Sequence, residues 1–302
     1  MLRLVILAGA LALTAGFTIF GLPAWEAQRW TKSAREDIRS EIIQGIWNRR
    51  KLPKVLPRRE GNKLIVDLPW GFVSRSTILY PKRWNGDFVI SHAGHDPLGW
   101  KQRPGSIKKF LKAGYRVIAM DMPLTGDNSW PPHLRFPEHT NHNKLASLEG
   151  QRRSPLELFL TPVAAVTNFI TEEFPGSRIH MTGVSGGGWT TTVICGLDPR
   201  IEVCSSVAGD NPYAGSGGDY EQIHPALIDN YLDLYVLAAC SGKKLHVVHR
   251  GDPWFLPSVA RTYEKAVKRV VRKCKGKFQV RATNLGKHGY GRKAARIFLK
   301  AL

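Results

Sequence analysis

Acidic residues and cysteine are both scarce in this chain. Its 302 residues hold 24 Asp and Glu against 44 Lys and Arg, a formal charge of +20. That imbalance would attract anionic lipid head groups, acidic polysaccharides or nucleic acid. No nucleic-acid motif accompanies it, however. Much of the charge lies in residues 261–302, where 14 Lys or Arg stand against Glu264 alone, and there it punctuates amphipathic stretches as a solvated face would. The four cysteines, Cys195, Cys204, Cys240 and Cys274, have neither a C-x-x-C pair nor any zinc-finger spacing. This speaks against a zinc module and leaves the disulfide state open. Internal repeats and low-complexity tracts are missing as well, which excludes a solenoid or propeller array. One large domain with a short N-terminal appendage is the economical organisation.

The appendage is residues 1–25. From Leu4 to Trp25 no residue is charged, and Arg3 precedes the run. This pattern predicts a signal peptide or a membrane anchor, and hence an exported or membrane-anchored protein. The stretch Pro23 to Ala27 lacks a clean small-x-small cleavage site, which favours an anchor. The basic flank of Arg29, Lys32, Arg35 and Arg39 favours the cytoplasm under the positive-inside rule and so opposes export of the domain. Residues 26–60 read as an amphipathic helix followed by a linker. Trp30, Ala34, Ile38, Ile42 and Ile46 recur four apart, a stripe suited to a membrane surface or to the domain itself. Lys51 to Arg59, with two prolines and no periodicity, reads as the linker.

From residue 61 the chain alternates short β-rich runs with helical ones. Lys63 to Leu68 and Phe72 to Leu79 predict an opening hairpin, and Phe88 to Ser91 a third strand. Further strands are expected at Tyr115 to Asp121, Arg178 to Gly183, Ile201 to Val207, Leu245 to Val248 and Phe278 to Ala282. Helices are expected at Ser106 to Ala113, Leu156 to Glu173, Trp189 to Gly196, Val259 to Arg272 and Lys293 to Leu302, with Pro162 kinking or restarting the second of these. The fold class is therefore α/β: a mostly parallel central sheet with an antiparallel N-terminal start and helices on both faces. Right-handed crossovers would place the parallel strand ends along one rim, where ligands bind.

Gly183-Val184-Ser185-Gly186-Gly187-Gly188 lies between a strand and a helix. This is the G-x-S-x-G pattern in its strand–turn–helix setting, which lifts a serine hydroxyl out of the sheet. A phosphate-binding loop fits less well, since no lysine follows the glycines. A serine hydroxyl needs a base to accept its proton, and the base needs an orienting acid. Asp252, after the strand Leu245 to Val248, and His288, in the glycine-rich loop after the last strand, follow Ser185 in that order. Asp210, after Ile201 to Val207, is the second candidate acid; a turn-capping role is the alternative, because Asn211-Pro212 follows. Acyl transfer also requires two N–H donors for the oxyanion. Gly186 offers one, and the loop His92-Ala93-Gly94-His95-Asp96 offers the other, from Gly94 or alternatively His95.

On these residues, roughly 60–302 resemble the α/β-hydrolase superfamily of esterases and lipases. The resemblance implies a serine hydrolase that cleaves carboxylic esters through an acyl-enzyme, without a cofactor. Ser185 would be the nucleophile, His288 the base and Asp252 its orienting acid. Ala93 is the departure, where many members carry glycine. Two stretches exceed the minimal core, near 123–154 and 211–235, and are expected to overhang the site as lid-like insertions. Trp130, Tyr213 and His95 are the candidates for substrate contact, and the aromatic and polar residues there suit an acylated carbohydrate or a lipid ester. A metal site built from His133, His139 and His142 lacks an obvious carboxylate partner. Two other functions remain: a non-catalytic basic module bound to an anionic membrane or polysaccharide surface, and a serine peptidase on the same scaffold.

Overall fold

The alternation of β-rich and helical runs produces one nine-stranded sheet. The computed structural model describes Trp25 and residues 30–102, 104–128, 142–150, 153–212, 218–227 and 230–302. The strands are β1 (Arg58–Glu60), β2 (Lys63–Asp67), β3 (Val73–Leu79), β4 (Phe88–His92), β5 (Arg116–Met120), β6 (Ile179–Val184), β7 (Ile201–Val207), β8 (Lys243–His249) and β9 (Lys277–Thr283). Their order across the sheet is β1-β2-β3-β5-β4-β6-β7-β8-β9. The β1–β2, β2–β3 and β3–β5 pairs are antiparallel, and every other pair is parallel. This is the mixed, mostly parallel sheet expected from the sequence.

Side-chain alternation divides the core between the two faces of the sheet. Val89, Val117, Val203 and Leu245 point to one side, against Ile107 and Phe110 of α2 (Pro104–Lys112) and Phe298 of α8 (Arg292–Leu299). Their neighbours Ile90, Ile118 and Cys204 point to the other side. There they meet α3 (Glu157–Glu173), α4 (Gly186–Leu197), α6 (Tyr231–Ser241) and α7 (Pro257–Arg272). Central β6 is buried at all six residues and so reads as a continuous run, whereas β1 is exposed at all three. Pro162 does not restart its helix but lies inside the continuous α3.

The amphipathic helix α1 (Lys32–Trp47) packs on this second face. Its entry is capped by the Thr31 hydroxyl, which accepts from Ala34 N at 3.1 Å, and its exit by Asn48 in the left-handed region. Ile42, Ile43, Ile46 and Trp47 are buried. Trp47 Nε1 donates to Thr161 Oγ1 at 2.9 Å, and Arg39 Nε donates to Gly196 O at 3.0 Å. Just upstream, Trp25 Nε1 donates to Asp233 Oδ1 at 2.6 Å. The stripe Trp30, Ile38, Ile42 and Ile46 therefore faces protein. Among the described residues, no helix is long and apolar enough to cross a membrane, and the uncharged run up to residue 24 lies outside them.

Two disulfides complete the framework. Cys195–Cys204 joins α4 to β7, and Cys240–Cys274 joins the end of α6 to the turn after α7. The stretch after β7 holds less loop than expected. Tyr231–Ser241 forms α6, with Leu234, Tyr235 and Leu237 fully buried, and a short helix α5 (Tyr220–Ile223) precedes it.

Candidate active site

β6 ends in a tight turn that carries Ser185 at φ 54° and ψ −130° into α4. A non-glycine residue at such a φ costs on the order of 1–3 kcal/mol, so the surroundings must enforce it. They do so through the backbone. Ser185 N donates to Val207 O at 3.0 Å, and Ser185 O accepts from Gly188 N at 2.8 Å and Trp189 N at 3.0 Å. Close approach explains Gly187, since a Cβ there would lie 2.1 Å from Ala93 O. At Gly94 a Cβ would lie 2.7 Å from Ser185 Cβ and 2.8 Å from Val184 O. The loop after β4 thus passes directly over the Ser185 turn. Ala93, the departure from the family pattern, is itself buried, and its N–H is held by Met120 O at 2.9 Å.

Parallel β8 and β9 deliver Asp252 and His288 beyond the same end of the sheet. His288 Nδ1 lies 2.8 Å from Asp252 Oδ2. Asp252 Oδ1 accepts from the N–H groups of Trp254 at 2.9 Å and Phe255 at 3.1 Å. Burial alone would raise the Asp252 carboxyl, but the bonds from His288, Trp254 and Phe255 outweigh it and hold it below the usual carboxylate range. With Asp252 ionised, Nδ1 is the nitrogen that donates to it, and Nε2 is the other ring nitrogen. Trp254 packs edge-on against the imidazole, ring centroids 4.9 Å apart, although it is 61% exposed.

Asp210, the second candidate acid, is occupied elsewhere. Its Oδ1 accepts from Ser206 Oγ at 2.6 Å, and its Oδ2 lies 3.6 Å from His246 Nε2. His246 is buried among Tyr235, Tyr263 and Phe278, and burial lowers its pKa to about 4. Asp210 thus faces a buried neutral imidazole rather than His288.

Both proposed oxyanion donors border Ser185. Gly186 is the first residue of α4, where helix N–H groups have no partner within the helix, and Gly94 lies on the loop above. His92 is buried, with its ring against Ala93 O at 2.8 Å, and burial lowers its pKa to about 4. His95 roofs the start of α4, since a Cβ on Gly186 would lie 2.5 Å from His95 Cε1. On its other side, His95 Nε2 lies 2.9 Å from Glu221 Oε1 and 3.3 Å from Asp219 Oδ2. Burial lowers the His95 pKa, but Glu221 and Asp219 more than reverse this and leave it raised. Trp130, Tyr213, His133 and His139 lie outside the described residues.

Sequence reasoning missed Trp254 and the contacts of Asp219 and Glu221 with His95. The first was legible in principle, as an aromatic two residues beyond a candidate catalytic acid. Glu221 had no local signal, because it meets His95 across 126 residues of sequence.

Sheet order, nucleophile turn and strand-end placement together define the α/β-hydrolase fold. Solved structures agree. The chain is similar to the methylesterase BT1017, at TM-score 0.64 and 15% identity over 95% of this chain and 68% of that one. It is similar to acetyl xylan esterase 1 from Thermoanaerobacterium sp. JW/SL YS485, at TM-score 0.57 and 15% identity over 94% and 97%. Est1E from Butyrivibrio proteoclasticus, solved with ferulic acid bound, gives TM-score 0.56 and 13% identity over 79% and 96%. No protein-family model and no curated protein matches the sequence.

Proposed function

We propose that the chain is a serine carboxylic-ester hydrolase working through an acyl-enzyme. The observation that carries this reading is the His288–Asp252 pair at the strand-end edge where Ser185 is held at positive φ. Ser185 Oγ attacks the ester carbonyl while His288 Nε2 takes its proton. Asp252 keeps Nδ1 protonated and stabilises the imidazolium that forms. The N–H groups of Gly94 and Gly186 receive the oxyanion. Collapse of the tetrahedral intermediate expels the alcohol, which takes the proton from His288. Water, activated by the same imidazole, then releases the acid and restores Ser185.

Small esters with a polar alcohol, such as acylated carbohydrates, are the proposed substrates. Trp254 offers an exposed aromatic face beside His288, and similar folds serve an acetyl xylan esterase and a ferulic acid-binding esterase. Export or anchoring is part of the same proposal, supported by the uncharged run Leu4 to Trp25 and by two disulfides, which form in oxidising compartments. The basic residues of 261–302 would add attraction to anionic membrane or polysaccharide surfaces. The test is hydrolysis of a panel of acetylated sugars, feruloyl esters, nitrophenyl esters and peptides. Ester turnover without peptide turnover supports the reading; no turnover of any ester overturns it.

A further inference from the structure

Three loops at the strand-end edge converge on a cluster separate from the Ser185, His288 and Asp252 set. His95 follows β4, His142 opens the helical turn His142–Leu148, and Glu221 lies in α5. Their donor atoms all lie within 4.8 Å of one another. His95 Nε2 is 3.0 Å from His142 Nδ1 and 2.9 Å from Glu221 Oε1, and His142 Nδ1 is 3.3 Å from Glu221 Oε2. Asp219 Oδ2 lies 3.3 Å from His95 Nε2, beside this three-residue group rather than within it. Four ligands at zinc bond lengths of about 2.0–2.1 Å would sit about 3.3 Å apart at the corners of a tetrahedron. The separations among His95, His142 and Glu221 are close to that.

The hydrogen-bond balance points the same way. His142 Nε2 lies 3.0 Å from Pro123 O, a pure acceptor, so Nε2 carries a ring proton and Nδ1 is the atom turned to the cluster. Such a bond to a backbone carbonyl is how a metal-ligating histidine is oriented. Phe159 packs edge-on at 4.9 Å and holds the fully buried ring in place. Glu221 is also fully buried, and its Oε2 has no hydrogen-bond donor among the described residues. One cation would serve all of these atoms.

We propose that His95, His142 and Glu221, with Asp219 beside His95, bind one divalent transition-metal ion. Two imidazoles with carboxylates favour zinc over magnesium or calcium, which prefer all-oxygen shells. The ion is structural. It ties the loop after β4 to the two segments that overhang the site, and so fixes the His95 ring that roofs Gly186. No step of the hydrolysis passes through it, and the site stands or falls independently of the proposed esterase activity.

The test uses the full chain, stripped with chelator and titrated with zinc chloride by calorimetry, with thermal melts alongside. One equivalent of zinc with saturable heat and a raised Tm is the expected result, since a ligand that binds only the native state stabilises it. Cobalt should give the visible bands of a four-coordinate site. Glu221→Gln and His142→Ala should abolish binding, and Asp219→Asn, at a partly exposed side chain, should weaken it without affecting folding. Circular dichroism of each variant separates lost binding from lost structure. Absence of saturable zinc binding by the wild-type chain overturns the proposal. So does binding that is unchanged in folded Glu221→Gln and Asp219→Asn.

Discussion

His288 and Asp252 are joined by a 2.8 Å contact from Nδ1 to Oδ2, and the other oxygen of Asp252 is held by two backbone N–H groups. The carboxylate is therefore fixed from both sides, and the imidazole inherits that fixed position. The pair lies on loops after β8 and β9, 36 residues apart in sequence, so sheet register rather than local geometry brings it together.

Replacing Asp252 by Asn should lower kcat by about 10²- to 10⁴-fold, since the amide no longer favours the tautomer with Nε2 free. Nitrophenyl-ester kinetics would measure this.

The same carboxylate should couple stability to acid. Its native pKa is lowered, so the stabilisation is complete above the unfolded value of about 4 and is lost as pH falls through the native value. Urea midpoints measured downward from pH ~5 should fall more steeply for the wild type than for Asp252→Asn.

Gly94→Ala should cost about 10²- to 10³-fold in kcat, the scale of a lost oxyanion donor. Its new Cβ would start 2.7 Å from Ser185 Cβ and 2.8 Å from a backbone oxygen, so the loop must move away from the nucleophile. Circular dichroism should be unchanged while ester turnover falls.

Ile46→Ala should destabilise the protein by about 2–5 kcal/mol in chemical denaturation, because Ile46 is 1% exposed between α1 and the domain. A helix lying on a membrane surface instead would show almost no change.

The disulfides should contribute unequally. Their sequence separations of 9 and 34 correspond to loop-closure effects of about 3 and about 4 kcal/mol. Paired Cys→Ala variants should therefore lose more stability at Cys240–Cys274 than at Cys195–Cys204.

The strands were legible because buried parallel strands are continuous apolar runs between turn residues. Ile201–Val207 was expected and found with the same limits. The edge strand Arg58–Glu60 was not legible, since its three exposed charged residues carry no hydrophobic pattern. Helix Tyr231–Ser241 was not legible as a helix, because it is apolar nearly all round and shows little periodicity. At the site, the placement of Ser185, Asp252 and His288 at one strand-end edge was readable from motif and order, because α/β topology sends successive strand ends to one edge. The His95–Glu221 contact and the disulfide pairing depend on long-range packing, which no local spacing encodes.

Covalent labelling with a fluorophosphonate probe tests the central claim most directly. The wild-type chain should gain one adduct, mapped by mass spectrometry to Ser185, and Ser185→Ala should gain none. Undiminished labelling of folded Ser185→Ala, or no labelling of an ester-hydrolysing wild type, would contradict Ser185 as the nucleophile.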